Sequence, residues 1–70
     1  MNMAFISFQE PLLRAEQVAE YLSISVQTLF NWRLRGEGPV AYKFGGRSGP
    51  LRYQQADVEK WLERNREVVK

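Results

Sequence analysis

The sequence predicts a single small domain that is mainly α-helical and contains one β-hairpin. Apolar residues recur with helical spacing in two segments of the first half, on either side of the short break Ser23–Ser25. Alternating residues around a glycine-rich turn follow in the middle, and a third helical pattern closes the chain. With 70 residues, the chain is long enough for one domain with a thin core.

The first two helices are predicted to be close neighbours in the chain. The first carries apolar residues at the i, i+3, i+4 and i+7 positions of one helix face, namely Ala15, Val18, Ala19 and Leu22. Ser25 is a good N-cap for a second helix from Val26 to about Arg35, because its hydroxyl can accept a hydrogen bond from a free first-turn amide. Gly36 follows this helix directly and is a plausible C-terminal stop for it.

The middle of the chain is predicted to form a β-hairpin around the turn-rich tip Gly45–Pro50. In the expected register, the inward face carries Tyr42, Phe44, Leu51 and Tyr53. Lys43 and Arg52 then share the opposite face, where like charges on neighbouring strands repel.

The last helix is predicted from Gln55 to about Val68. One of its sides carries Val58, Trp61, Leu62, Asn65 and Val69, with Asn65 as the one polar member. Asp57 lies in the first turn, where the helix dipole favours an anion.

The predicted order is therefore helix, tight turn, helix, hairpin and helix. A helix pair joined by about three residues is the helix-turn-helix signature, and the hairpin after it would be a wing. The predicted fold class is mainly α with a small β-hairpin, a winged helix-turn-helix, at residues 12–70. Residues 1–11 are expected to form an N-terminal arm, in which the alternation at Ile6 and Phe8 would also suit a short strand.

The composition argues against several function classes. The chain has no cysteine and no histidine, so we expect no disulfide, no metal site and no cofactor. An enzyme is not expected, because no nucleophile–base pair can be assembled without these residues and the glycine motifs of nucleotide-binding enzymes are absent. No apolar run approaches the roughly 20 residues of a membrane-spanning helix, and the first residues do not resemble a signal peptide.

Positive charge is concentrated in the middle third of the chain. The formal net charge is only +2. Between residues 31 and 53, however, a single acidic residue, Glu37, is outnumbered by the basic residues Arg33, Arg35, Lys43, Arg47 and Arg52. Such a local excess is typical of an anion-binding surface, and a solvated basic loop is the alternative.

The second helix is expected to present a DNA-binding face. On a helical wheel, Val26, Leu29 and Trp32 form the core stripe, with the stem of Arg33 at its edge. The opposite side has no carboxylate and carries groups that pair with base edges and phosphates. With the N-cap included, these residues are Ser25, Gln27, Thr28, Asn31 and Arg35. Phe30 and Arg33 are candidates for additional DNA contacts, and packing against the first helix or hairpin is the alternative for Phe30.

The hairpin is expected to contact the DNA backbone. An anion near Lys43 and Arg52 would relieve their mutual repulsion, and a phosphate chain is the natural candidate. Arg47 lies at the glycine-rich tip, where little bulk would keep it out of a narrow minor groove. A solvated loop tip is the alternative for Arg47.

Several segments together resemble the excisionase-type, MerR-like family of winged helix-turn-helix domains. They are Leu12–Ser25, Thr28–Trp32 with Gly36, Arg52–Tyr53 and Asp57–Leu62. The resemblance covers about Leu12–Arg64. Arg14 departs from the family, which usually has a capping Ser or Thr there, and the tip Arg47–Pro50 looks longer than a minimal wing.

This resemblance implies a second helix in the major groove and a wing on the adjacent backbone or minor groove. Stand-alone members include phage excisionases, also called recombination directionality factors, which bind DNA cooperatively, bend it and direct an integrase toward excision. The implied partners are double-stranded DNA, a site-specific integrase and further copies of the chain on DNA, in the cytoplasm of a bacterial host and away from the membrane. A small MerR-like or AlpA-like transcription regulator is the alternative, and a protein-interaction adaptor is a third hypothesis.

Overall fold

The computed structural model describes residues 11–69, which form three helices and three short strands. In chain order the elements are β1 (Leu13–Arg14), α1 (Ala15–Leu22), α2 (Val26–Leu34), β2 (Ala41–Lys43), β3 (Leu51–Tyr53) and α3 (Gln55–Asn65). The strands form one antiparallel sheet in the order β1-β3-β2. This architecture confirms the predicted winged helix-turn-helix. The expected arm lies outside the described residues, apart from Pro11.

The turn between α1 and α2 is built by local hydrogen bonds. Ser23 adopts a left-handed conformation with φ 60°. Its amide donates to the carbonyl of Glu20 at 3.0 Å, and the amide of Ile24 donates to that of Ala19 at 2.9 Å. This pair of bonds is a Schellman motif, which ends α1 sharply and leaves only three residues before α2.

The ends of α2 agree with the predicted caps. The Ser25 hydroxyl accepts a hydrogen bond from the Thr28 amide at 3.0 Å, which confirms Ser25 as the N-cap. At the other end Gly36 has φ 70°, and its amide donates to the carbonyl of Arg33 at 3.0 Å. The helix ends at Leu34 and Arg35 is its C-cap.

The start of α1 uses a different cap from the usual hydroxyl. Arg14 is the N-cap residue, and its side chain makes no capping bond. Instead the Gln17 side-chain oxygen accepts from the Arg14 amide at 2.8 Å. This is the reverse bond of a capping box, so one free amide is satisfied without a Ser or Thr.

The core lies between the three helices and the inner face of the sheet. Its buried members are Ala15, Val18, Ala19, Leu29, Tyr53 and Val58. Trp32 packs against this cluster, and its ring centroid lies 5.3 Å from that of Trp61. The apolar stripes predicted for α1 and α2 are thus confirmed, and the tryptophan pair joins α2 to α3.

The predicted register of the hairpin is wrong by one residue. Ala41 pairs with Tyr53, and Lys43 pairs with Leu51. The cross-strand neighbour of Arg52 is therefore Tyr42. Lys43 and Arg52 lie on opposite faces, and the repulsion expected between them is absent.

The connection between the two strands explains this register. An odd number of residues, 44–50, separates them, and the Phe44 amide donates to the Pro50 carbonyl at 3.1 Å. Gly45 and Gly46 have positive φ values of 76° and 95°, and the Gly49 amide closes a turn on the Gly46 carbonyl at 3.0 Å. A one-residue slip transfers every side chain to the other face. Phe44 accordingly remains 45% exposed instead of packing inward.

Two further elements differ from expectation. Strand β1 was not predicted, because two residues are too few for an alternating pattern; it forms by pairing with β3. Helix α3 ends at Asn65, whose side-chain amide donates to the Trp61 carbonyl at 2.8 Å, and Arg66 is already extended. Val69 is 83% exposed, so it does not belong to the apolar side of α3.

Candidate nucleic-acid interface

Helix α2 turns the predicted stripe toward the core, whereas its other sides carry exposed polar residues as well as the exposed apolar residues Phe30 and Leu34. Leu29 is completely buried, whereas Gln27 and Asn31 are exposed. The Gln27 side-chain amide donates to the Asn31 side-chain oxygen at 3.2 Å, so the two amides lie side by side one turn apart. Since α2 contains no acidic residue, the result is an exposed polar surface free of carboxylates. The DNA contacts of these residues stay a prediction.

The hydroxyl groups at the start of α2 bond to each other. The Ser25 hydroxyl donates to the Thr28 hydroxyl at 3.0 Å, in addition to accepting from the Thr28 amide. Ser25 is exposed and Thr28 is half-buried. Both therefore have a structural role at the N-terminus of α2, beside the Gln27–Asn31 pair.

Arg35 is not an isolated cation. Its Nε and Nη2 atoms both donate to Oε1 of Glu37 at 3.2 Å. Both side chains are more than half exposed, and exposed ion pairs of this kind contribute at most about 1 kcal/mol. The ion pair holds the guanidinium beside the end of α2. It is weak enough that Arg35 could bind a phosphate or a base in place of Glu37. The charge count did not reveal this pairing.

Arg33 and Lys43 line one groove between the end of α2 and the hairpin. The groove has a volume of about 430 Å³, and the apolar residues Val40 and Leu51 also line it. Lys43 also donates from Nζ to the Arg47 carbonyl at 2.9 Å, which connects it to the hairpin tip. Two cations from two elements thus line the same concave surface, together with Glu37, the partner of Arg35. The groove follows from the true register, which places Lys43 beside Leu51.

The remaining candidate residues do not line this groove. Arg47 is exposed at the tip of the hairpin, and Phe30 on α2 is 37% exposed. Arg52 is half-buried on the face of the sheet opposite Lys43, and its Nη1 donates to the Leu51 carbonyl at 2.8 Å. The structure therefore brings together α2, Arg33 and Lys43, and separates Arg52 from them.

A single family comparison supports the same interpretation. A family model described as a helix-turn-helix domain matches residues 12–66, which include all three helices and the hairpin. The chain belongs to this helix-turn-helix family. The helix-turn-helix protein is accordingly a DNA-binding protein whose partner is double-stranded DNA, and its family is typically non-enzymatic. None of the curated proteins compared with it matches.

Two tyrosines connect the wing of the helix-turn-helix protein to its helices. The Tyr42 hydroxyl donates to Oδ2 of Asp57 at 2.8 Å, and this bond raises the pKa of Tyr42 above its ordinary value. Burial raises the pKa of Tyr53, and the positive charge of Arg33 partly opposes that shift. Arg33 is thus close enough to influence a buried hydroxyl of the sheet.

Within residues 11–69, no group of three or more side chains could hold a metal ion. The helices of this part of the chain are all too short or too polar to cross a membrane.

Proposed function

We propose that this helix-turn-helix protein is a phage excisionase that binds and bends attachment-site DNA and directs an integrase toward excision. The observation that carries the DNA-binding part is the carboxylate-free face of α2 beside a groove lined by Arg33 and Lys43. The excisionase part is supported by the resemblance over about Leu12–Arg64 and by membership of a family that includes excisionase-like and AlpA-like proteins.

In this proposal α2 reads the bases. Helix-turn-helix proteins place the N-terminal residues of the second helix against base edges in the major groove. The neighbouring amides of Gln27 and Asn31 suit adenine, which offers one acceptor and one donor there. Arg35 suits guanine once it releases Glu37. Phe30 is exposed enough to contact a thymine methyl group.

The groove beside α2 would hold the DNA backbone. Arg33 and Lys43 supply positive charge on its two sides, and phosphate contacts determine position without reading sequence. Arg47, at the tip, would extend toward the minor groove. Ser25 and Thr28 would support the N-terminus of α2 and contact nearby phosphates.

Two matched substitutions test this division of labour. Asn31→Ala should reduce the preference for cognate over random DNA, since a lost bidentate base contact costs about 1–3 kcal/mol. Lys43→Ala should weaken binding to cognate and random DNA equally. It should also lower the slope of log affinity against log salt concentration by about one unit. The controls are Gln55→Ala and Lys60→Ala on α3, which should bind like the wild type. If Lys43→Ala abolished discrimination and left the slope unchanged, the wing would read sequence and these roles would be wrong.

A second experiment separates recombination from transcription. Genome-wide occupancy of the tagged protein should locate it at an integrase attachment site, and gel shifts on circularly permuted fragments should reveal a bend there. Cooperative binding of several copies and stimulation of excision by a site-specific integrase are expected. Occupancy at promoters, without any effect on excision, would favour a transcription regulator instead.

A further inference from the structure

The outer face of the sheet carries one row of side chains, contributed by all three strands. Arg14 of β1 pairs with Arg52 of β3, and Arg52 pairs with Tyr42 of β2. The alternate positions of the same strands face the core, as the completely buried Tyr53 demonstrates. Two arginines are therefore direct cross-strand neighbours on the side of the sheet away from the core.

This arrangement leaves two like charges close together. Directly opposed residues of antiparallel strands have Cβ atoms about 4.5–5.5 Å apart, and like charges there are destabilising. The ion pairs among residues 11–69 are Arg35–Glu37 and Glu63–Arg66, so neither Arg14 nor Arg52 is paired with a carboxylate in this part of the chain. Half-burial of Arg52 also reduces the screening of its charge by solvent.

We infer that Arg14 and Arg52 together form a phosphate-binding site that is separate from the groove beside α2. Within residues 11–69, Arg52 uses Nη1 on the Leu51 carbonyl and has no bond from its other guanidinium N–H groups, while Arg14 is exposed. Two guanidinium groups on one phosphate make short, charge-assisted hydrogen bonds. The positive end of the α1 dipole begins directly after Arg14 and adds to the same potential.

Among residues 11–69, the nearby carboxylates do not fill this site. Glu16 lies in the first turn of α1 and is exposed, without an ion pair to either arginine. Asp57 accepts the hydroxyl of Tyr42, the third member of the row. Asp57 is thus held at the Tyr42 end of the row and makes no ion pair with either arginine.

The ligand is a phosphodiester of the bound duplex, and this identification rests on the proposed function. In helix-turn-helix proteins the first helix crosses the DNA backbone, and Arg14 caps the first helix here. The site would add a backbone contact beyond α2 and the groove. Arg14 would thus replace the usual capping hydroxyl with a charge that binds DNA.

Thermal melting tests the anion site without DNA. Arg14→Gln and Arg52→Gln should each raise the melting temperature in dilute sodium chloride by a few degrees, because either change removes the repulsion. Sodium sulfate at matched ionic strength should stabilise the wild type more than either variant. Arg64→Gln, on α3, is the control and should respond to sulfate like the wild type. Equal sulfate responses in all four proteins would overturn the site.

Salt-dependent DNA binding tests the identity of the ligand. If the phosphate is held only while both arginines are present, each single variant should lose about one unit of salt slope and the double variant should lose no more. Between about 50 mM and about 200 mM salt, the wild type should therefore lose about three to four times more affinity than the variants. Unchanged slopes, or a double variant that loses about two units, would contradict a shared DNA phosphate. If the wild type bound no DNA at all, the proposed function would fail, while the sulfate experiment would still decide whether the arginines bind an anion.

Discussion

The two tyrosines of the wing provide a sharp test of the structure. Tyr53 is completely buried, and within residues 11–69 its hydroxyl has no hydrogen-bond partner. Tyr42, on the neighbouring strand, donates its hydroxyl to Asp57 at 2.8 Å. The substitutions Tyr53→Phe and Tyr42→Phe remove the same atom from these two environments. They should have opposite effects on stability.

The magnitudes follow from the state of each hydroxyl. A buried polar group without a partner costs about 1–3 kcal/mol, and phenylalanine fills nearly the same volume. We expect Tyr53→Phe to raise the free energy of unfolding by about 1 kcal/mol, once the lost packing of the oxygen is deducted. Tyr42→Phe should lower it by about 1 kcal/mol, since a hydrogen bond to a carboxylate disappears. In a domain of this size, each change shifts the melting temperature by about 4–8 °C.

The pH dependence gives the same pair a second readout. The pKa of Tyr53 is raised by burial, and that of Tyr42 chiefly by its bond to Asp57, both from an ordinary value of 10.0. The folded protein then holds these protons more tightly than the unfolded chain does. The part of the stability that depends on these two protons is fully present below pH 10. It is lost as the pH rises above that value. Each phenylalanine variant should lose less stability than the wild type in this alkaline range.

Urea unfolding followed by tryptophan fluorescence would measure both effects, at neutral pH and above pH 10. The probe is suitable because the rings of Trp32 and Trp61 lie close together in the folded state, with centroids 5.3 Å apart. A Tyr53→Phe variant that is less stable than the wild type by 1 kcal/mol or more would refute the reasoning, since its hydroxyl would then be hydrogen-bonded in the folded protein.

Three other substitutions have defined outcomes. Ser23→Gly should raise the free energy of unfolding by about 0.5–1 kcal/mol in urea titrations, because φ 60° is strained for serine and not for glycine. Gly49→Ala should weaken binding to cognate and random DNA while the helical circular dichroism is kept, because the added Cβ would overlap the Phe44 carbonyl oxygen and displace the wing. A double-mutant cycle of Trp32→Ala and Trp61→Ala should give a coupling of about 0.5–1.5 kcal/mol, and additive losses would show that the ring contact contributes little.

Local signals in the sequence predicted the helices well. The end of α2 is an example: Gly36 takes the left-handed conformation that its position suggested, and Ser25 makes the expected cap. Such features depend on a few neighbouring residues, so they can be recognised without knowledge of the fold. The polar face with Gln27 and Asn31 follows equally from helical periodicity.

The faces of the wing could not be derived in the same way. Alternation in a strand has two solutions that differ by one residue. The choice between them depended on the conformation of the connection 44–50, with its two left-handed glycines, and on the burial of Tyr53 beneath α1 and α2. The predicted placement of Lys43 and Arg52 on one face of the hairpin was wrong for that reason.

The sequence by itself determined the order of helices and hairpin and the polar face of α2, because each arises from contacts within one short segment. Only the tertiary structure decided that Lys43 meets Arg33 in one groove and that Arg14 lies beside Arg52. The members of each pair are distant in the chain. They come together because β3 lies between β1 and β2 in the sheet and pairs with both in a defined register. Register is a property of the whole sheet and its core, which no single segment of the sequence specifies.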